Sequence, residues 1–218
     1  MTVTFEGVVY ELHRDKYNKF NDYAVAIAPE NKNASNIIIN NRVDGVRVTR
    51  INNCAFSNMH KLESVYTADL DVLTVGQSAF AFCTKLKAFH SSAADITIDK
   101  KAFQGCKSLV NVWCRGIVKL RPQCFVDCPS LRDVGTLMIV EEDCFVNCTA
   151  LKKLFFCDKV SVRGNVFKNT IIEEVVCYGD VLFHNKATTN MFLNKTIRCR
   201  ECSNVASLAY EGANVIFL

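Results

Sequence analysis

Hydrophobic and polar positions recur along the middle of the chain with a period of 20 to 24 residues. Each period contains one Phe, with an aliphatic residue five positions before it and a small apolar residue directly before it. In most units Cys, Leu and a second large apolar residue follow three, six and nine positions after the Phe. A fixed period of this length is typical of a solenoid, in which each unit buries its apolar edge against the next. The markers are Phe56, Phe80, Phe103, Phe125, Phe145 and Phe167.

Two segments of each unit show the alternation of a β-strand. One follows the loose pattern Leu-x-x-Leu-x-Leu, as in Leu62-x-x-Val65-x-Thr67, and the other precedes the Phe, as in Asp95–Ile98. Between them, the stretch Ala-Phe-x-x-Cys predicts a tight helical or 3₁₀ turn that places the Phe ring in the core. The predicted fold class is therefore a β-rich α/β repeat solenoid, a right-handed leucine-rich-repeat coil with a short parallel sheet and β-rich caps.

The ends of a solenoid need caps, because terminal units otherwise expose their core. We predict one domain over residues 1–218, since no long linker interrupts the pattern. Residues 1–45 form the N-terminal cap, residues 46–177 about six repeats, and residues 178–218 a degenerate repeat and the C-terminal cap. The last region contains Phe192, which marks an eroded unit, and a predicted short helix from Asn204 to Tyr210.

The run Val75-Gly-Gln-Ser-Ala-Phe-Ala-Phe-Cys-Thr-Lys-Leu86 resembles the BspA-like type of leucine-rich repeat, Ile-Gly-x-x-Ala-Phe-x-x-Cys-x-x-Leu-x-x-Ile. The likeness covers about residues 43–177 and rests on six positions of each unit. It implies a role in protein interaction or adhesion, often at a bacterial or protist surface, and it names no catalytic residues. The chain departs from the pattern at Met59 and Thr170, which replace Cys, and at Cys124 and Cys144, which replace Ala.

Composition and charge narrow the possible functions. The chain is 50% hydrophobic and 22% charged, with a net charge of +4 and no run of five like charges. Because nucleic-acid-binding proteins concentrate Lys and Arg on one face, we expect neither nucleic acid nor an anionic membrane as a partner. No segment approaches the roughly 20 apolar residues that span a bilayer, so we expect no membrane insertion. The charged N-terminal residues contain no apolar leader, which predicts a cytoplasmic protein; a cell-surface location is the alternative if a leader was removed before Met1.

Twelve cysteines are many for 218 residues. Outside the cell they would suggest a disulfide framework, whereas the lack of an apolar leader favours reduced, mostly buried thiols. A lone Cys199-x-x-Cys202 leaves a redox or metal protein as a less favoured hypothesis, because zinc sites usually pair two such elements or add His. We therefore expect no metal and no cofactor. The cysteines that follow the Phe markers should form a buried ladder that does not converge on a metal: Cys83, Cys106, Cys128 and Cys148.

The candidate chemistry lies on the strands. No nucleophile motif, phosphate-binding loop or metalloprotease motif is present, so we predict no enzymatic activity. Positions 3 and 5 of each Leu-x-x-Leu-x-Leu segment should point outward, where aromatic residues either anchor a partner or stabilise the sheet by cross-strand packing. An alternative is that the chain is a structural component of a larger assembly, in which the edges and caps of the solenoid make the contacts. We hypothesise that a protein partner binds through positions 3 and 5 of the strands. They are Tyr66, His90, Trp113 and Phe155 at position 5, and Asn111, Asp133 and Lys153 at position 3.

Overall fold

A computed structural model describes residues 1–184, 196–199 and 214–217 and shows a β-solenoid of about seven turns with almost no helix. This confirms the predicted repeat fold. The division into a single domain with two caps stays a prediction. Phe192, Cys202 and the helix predicted from Asn204 to Tyr210 lie outside the described residues.

The regular secondary structure of the described residues consists of strands and a single three-residue 3₁₀ turn, Lys19–Asn21. No described helix has the length and the hydrophobicity needed to cross a bilayer. The strands are β1 (Thr2–Phe5), β2 (Val8–His13), β3 (Tyr23–Pro29), β4 (Asn36–Ile39), β5 (Arg42–Val43), β6 (Val46–Ile51), β7 (Ser64–Thr67), β8 (Val72–Val75), β9 (Ala88–Ser91), β10 (Asp95–Ile98), β11 (Asn111–Cys114), β12 (Ile117–Leu120), β13 (Thr136–Val140), β14 (Lys153–Val162), β15 (Glu174–Cys177), β16 (Asp180–Phe183), β17 (Thr196–Cys199) and β18 (Asn214–Phe217).

The two strand segments of each unit form two parallel sheets. The Leu-x-x-Leu-x-Leu segments build a four-stranded sheet in the order β11-β9-β7-β4, and the segments before each Phe build a longer sheet through β6, β8, β10 and β12. Equivalent positions pair in register, as in Leu73 with Ile96 and Ile96 with Val118. Because side chains alternate between the two faces of a strand, this register places the apolar positions of every unit on the inside.

At the N-terminus, β1, β2 and β3 form an antiparallel meander, and β3 then pairs in parallel with β6. This meander covers one end of the coil, as a solenoid cap must. The first strand of the four-stranded sheet, β4, lies inside the region 1–45 that the sequence assigns to the cap.

The two sheets join in the fourth and fifth units. There the Leu-x-x-Leu-x-Leu segment retains one isolated bridge, between Asn111 and Asp133, and the chain turns at Gly135 with a φ of 54°. β13 pairs with β12 on one side and with β14 on the other, and β14 pairs with both β15 and β16. The distance of 20 residues from Phe125 to Phe145 is the shortest between two markers, so this unit has the fewest residues with which to form two separate strands.

The turns around the Phe markers differ from the helical or 3₁₀ turn expected from the sequence. In the second unit Ser78 and Phe82 have φ values of 54° and 60°, and the equivalent positions of the first, third, fourth and fifth units are also left-handed. Hydrogen bonds from the Ala81 N–H to the Ser78 oxygen (3.1 Å) and from the Cys83 N–H to the Phe80 oxygen (3.2 Å) close successive β-turns. A helix cannot continue through residues of positive φ, so the segment forms overlapping turns instead.

A ladder of stacked phenyl rings occupies the centre of the coil. Neighbouring ring centroids lie 5.3 to 5.8 Å apart, and the planes are within 13° of parallel. The backbone follows the same repeat, since the Phe80 N–H donates to the Ala102 oxygen at 2.8 Å and the Phe103 N–H to the Cys124 oxygen at 2.9 Å. The ladder is fully buried from its first to its fifth ring and partly buried at its end: Phe56, Phe80, Phe103, Phe125, Phe145 and Phe167.

Replacing a ring in the middle of the ladder should destabilise the protein strongly. Phe103→Ala removes a fully buried ring that stacks on Phe80 and Phe125, and we expect the free energy of unfolding to fall by about 3–5 kcal/mol. Denaturant unfolding followed by circular dichroism measures this change. Phe20→Ala is the matched control, because its ring is exposed and its loss should change stability by less than about 0.5 kcal/mol. Equal losses for the two variants would contradict the ladder.

Candidate functional site

Four side chains on the outer face of the four-stranded sheet form a continuous row, which we call the aromatic surface. Ile38 of β4 lies opposite Tyr66 of β7, Tyr66 opposite His90 of β9, and His90 opposite Trp113 of β11. Ile38, Tyr66 and Trp113 are 48%, 47% and 47% exposed, which is high for large apolar side chains. An exposed row of this kind on a rigid sheet is a candidate recognition site.

The rings of the aromatic surface contact one another. Tyr66 and His90 stack with centroids 5.1 Å apart and an interplanar angle of 8°, whereas the Trp113 ring lies 6.4 Å from His90 and is tilted by 38°. Despite this stacking, Tyr66 and Trp113 each leave 47% of their surface exposed. The row therefore combines the two roles weighed from the sequence, because the rings stabilise the sheet and still present apolar area to solvent.

The inner face of the same sheet fixes the row in place. Phe89, between the outward residues Ala88 and His90, packs edge-on against Phe80 and Phe103 at 5.8 and 5.2 Å. One residue beyond the row, the buried hydroxyls of Thr67 and Ser91 lie 2.9 Å apart and form a hydrogen bond. The two buried hydroxyls can form this hydrogen bond only when β7 and β9 pair in the correct register. The contacts on the inner face therefore hold the aromatic surface in one arrangement.

The residues predicted at position 3 divide between two locations. Asn111 and Asp133 are exposed and lie side by side across the isolated bridge, next to Trp113. Lys153 lies in β14, where its ammonium is 2.9 Å from the Glu174 carboxylate.

Phe155, predicted to extend the aromatic row, does not belong to the four-stranded sheet. It lies in β14 between Thr136 and Val176, and the Lys153 ammonium is 5.1 Å from its ring centroid. The reason is Gly135, which supplies no side chain to the row and turns the chain into the longer sheet. Of the seven predicted residues, the structure thus brings Tyr66, His90, Trp113, Asn111 and Asp133 together and places Lys153 and Phe155 in the joined sheet.

Sequence reasoning missed Ile38, the first member of the row. The segment Asn36–Ile39 shows the same alternation as the later strands, with Ile37 and Ile39 buried and Ile38 exposed. No Phe marker precedes it, so the repeat pattern could not assign it to a unit. Its alternation and the spacing of 28 residues to Tyr66 were the available signals.

The cysteine column has a structural explanation. Each thiol donates a hydrogen bond to the carbonyl oxygen of the Phe marker in the preceding unit, at 3.0 to 3.1 Å for Cys83, Cys106, Cys128 and Cys148. Thr170, which replaces Cys in the sixth unit, donates its hydroxyl to the Phe145 oxygen in the same way. Both exceptions in the column therefore have an explanation. Thr170 keeps the hydrogen bond, and Met59 belongs to the first unit, where no preceding Phe carbonyl is available.

Most of the described cysteines are buried. All eleven are free, and no group of three or more Cys, His, Asp or Glu side chains in the described ranges is placed to hold a metal ion. Burial raises the pKa of Cys83, Cys148 and Cys177 to about 12, and burial together with the Asp133 charge does the same for Cys114. A thiol with so high a pKa stays protonated at neutral pH and is a poor nucleophile.

The chain is similar to one family of repeat proteins and to solved structures of two bacterial proteins. The family model for the BspA-type leucine-rich-repeat region matches residues 28–136 and 74–198, with six copies of the repeat. The crystal structure of a T. pallidum leucine-rich-repeat protein is 17% identical, covers 95% of both chains and superposes with a TM-score of 0.53. A leucine-rich cell surface protein from Faecalibacterium prausnitzii is 18% identical, with a TM-score of 0.55 over 91% of this chain and 54% of its own. No curated protein sequence matches significantly.

Thiol labelling should distinguish the buried column from the accessible cysteines. At pH 8 the buried thiols remain protonated because their pKa values are raised, so iodoacetamide should label exposed Cys54 and half-buried Cys157 much faster than Cys106 or Cys128. Peptide mass spectrometry after timed labelling measures the rates, and the urea-unfolded protein provides the control in which all sites react. Rapid native labelling of Cys106 or Cys128 would rule out the buried ladder.

Proposed function

This chain belongs to the BspA-type leucine-rich-repeat family, and we propose on that basis that it is a non-enzymatic module that binds a protein partner through its aromatic surface. Leucine-rich-repeat modules generally mediate protein interactions. Solenoids of this kind use the surface of stacked equivalent strands for recognition, because neighbouring units present side chains at a regular spacing. The observation that carries the proposal is the exposed, preorganised row of Ile38, Tyr66, His90 and Trp113.

Several features of the row favour binding. The rings are already ordered by stacking and by the packing beneath them, so a partner would lose little side-chain entropy on docking. Trp and Tyr are the residues most enriched at energetic hot spots, and Trp113 lies beside the polar Asn111 and Asp133, which can supply a hydrogen-bonding rim. Lys153 and Phe155 lie further along the coil and would contact only a partner that extends onto the joined sheet.

We also propose that the protein functions in a reducing compartment such as the cytoplasm. The support is the buried column of free thiols, each of which donates a hydrogen bond that a disulfide would remove.

A second candidate function, adhesion at a cell surface, is favoured by the description of the F. prausnitzii neighbour as a cell surface protein. Localisation of the tagged protein in its source cells distinguishes the two.

Removing the two largest rings of the aromatic surface should weaken partner binding strongly. We expect Tyr66→Ala with Trp113→Ala to weaken binding by at least about 30-fold, because a single hot-spot residue contributes about 2 kcal/mol or more. Proteins captured by the wild type from source-cell extract are first identified, and the affinity of the purified partner is then measured by calorimetry.

The matched control for this experiment is Val72→Ala with Ile117→Ala. These apolar residues are also exposed, at 51% and 39%, but they lie on β8 and β12 of the longer sheet. The control should bind as the wild type does. An unchanged affinity of the Tyr66 and Trp113 variant, with its fold intact by circular dichroism, would reject the aromatic surface as the binding site.

A further inference from the structure

The loop that joins β2 to β3 carries the two most exposed large apolar side chains among the described residues. Tyr17 is 89% exposed and Phe20 is 86% exposed. They lie at the N-terminal cap, on a different part of the fold from the aromatic surface. Both side chains leave almost their whole area in water, which is unfavourable unless another surface covers them.

Hydrogen bonds around Asp15 hold this loop in one conformation. The Asp15 carboxylate accepts from the Tyr17 N–H at 2.8 Å, from the Asn18 N–H at 3.0 Å and from the Asn21 side-chain amide at 3.0 Å. The side-chain amide of Asn21 and the two backbone N–H groups lower the pKa of Asp15, in agreement with an ionised carboxylate at the centre of the loop. The rings of Tyr17 and Phe20 are therefore displayed by an ordered loop.

Basic groups surround the two rings. The Lys16 ammonium lies 5.5 Å from the centroid of the Tyr17 ring, and Lys19 directly precedes Phe20. Behind Phe20 is an open groove of about 480 Å³ whose lining includes Lys19, Phe20, Arg42 and Arg47.

The acidic groups nearby already have partners. The Asp22 carboxylate accepts from the Asp15 N–H at 2.7 Å, and the Asp44 carboxylate pairs with Arg14. The Asp15 carboxylate is used within the loop, as described above. These neutral donors leave the charges of Asp15 and Asp22 in place, and Arg47 pairs with Asp71 at 3.6 Å. The positive charge next to the rings is that of Lys16 and Lys19, which is complementary to an anionic surface.

We propose that this loop docks the protein on an anionic phospholipid surface, with Tyr17 and Phe20 in the headgroup region and Lys16 and Lys19 facing lipid phosphates. Aromatic rings and lysines together are typical of the membrane interface, where the ring enters the apolar boundary and the ammonium stays at the level of the headgroups. Tyr17 and Phe20 are 89% and 86% exposed, so most of their area is free to enter a soft interface. The overall charge of +4 did not indicate this site, because the two lysines matter through their position beside the exposed rings.

Vesicle flotation tests the proposal directly. Wild-type protein should float with phosphatidylcholine vesicles that contain about 30% phosphatidylserine, and much less with pure phosphatidylcholine. Lys16→Gln with Lys19→Gln should lower partitioning by roughly 30-fold, since each basic residue near an anionic surface contributes about fivefold. Tyr17→Ser with Phe20→Ser should lower it by at least about tenfold. Raising the ionic strength from about 0.05 to about 0.5 M should release the wild type.

The controls separate this site from the proposed partner-binding surface. Tyr66→Ser with Trp113→Ser leaves the loop intact and should float as the wild type does. A poly-glutamate peptide tests the alternative of an acidic protein ligand. Failure of the wild type to float with anionic vesicles, equal flotation of the loop variants, or binding to poly-glutamate without flotation would each overturn the membrane proposal and leave the aromatic surface unaffected.

Discussion

Stacking of equivalent residues from successive units is the constraint on which this structure depends. The Phe ring of each unit packs between its neighbours, and its N–H donates to a carbonyl of the next unit, so rings and backbone can be satisfied only when the units are in register. The thiol three residues later donates to the preceding Phe carbonyl. Burial of the rings, the hydrogen bond of the Phe N–H and the hydrogen bond of the thiol therefore all favour the same alignment of units. When several interactions favour one arrangement, the sequence specifies a single fold.

The part of the fold that this alignment fixes could be predicted from the sequence. Phe80, Phe103 and Phe125, with their apolar neighbours, reveal the coil because their environment is the same in every unit. Sequence did not reveal the places where the units differ. The shortest distance between markers, from Phe125 to Phe145, coincides with the place where the two sheets merge. The turns were expected to be helical, but the left-handed φ of Ser78 and Phe82 is a local property that hydrophobic periodicity does not encode.

The candidate site was predictable to the same extent. Tyr66, His90 and Trp113 lie on strands that keep the repeat register, and the structure places them in one row. Phe155 occupies the equivalent position in the repeat pattern, but it pairs with Thr136 and not with Gly135. Its position in the pattern therefore does not give its neighbours in the sheet. Ile38 and the Tyr17–Phe20 loop lie outside the repeats, where no period exists to identify their neighbours. Regular units thus provide the scaffold, and irregular positions add exposed apolar residues that the repeat pattern does not locate.

Amide hydrogen exchange of the turns that carry the Phe markers tests the central claim most directly. These turns contain no regular strand, yet alternate N–H groups, such as those of Phe80 and Phe82, donate to carbonyls of the next unit. If the ladder is continuous, the amides of Phe80, Phe103 and Phe125 should exchange as slowly as those of β10 and β12, through global opening only. Exchange of these amides as fast as that of the exposed loop 14–22 would show that the units are not joined through a common core.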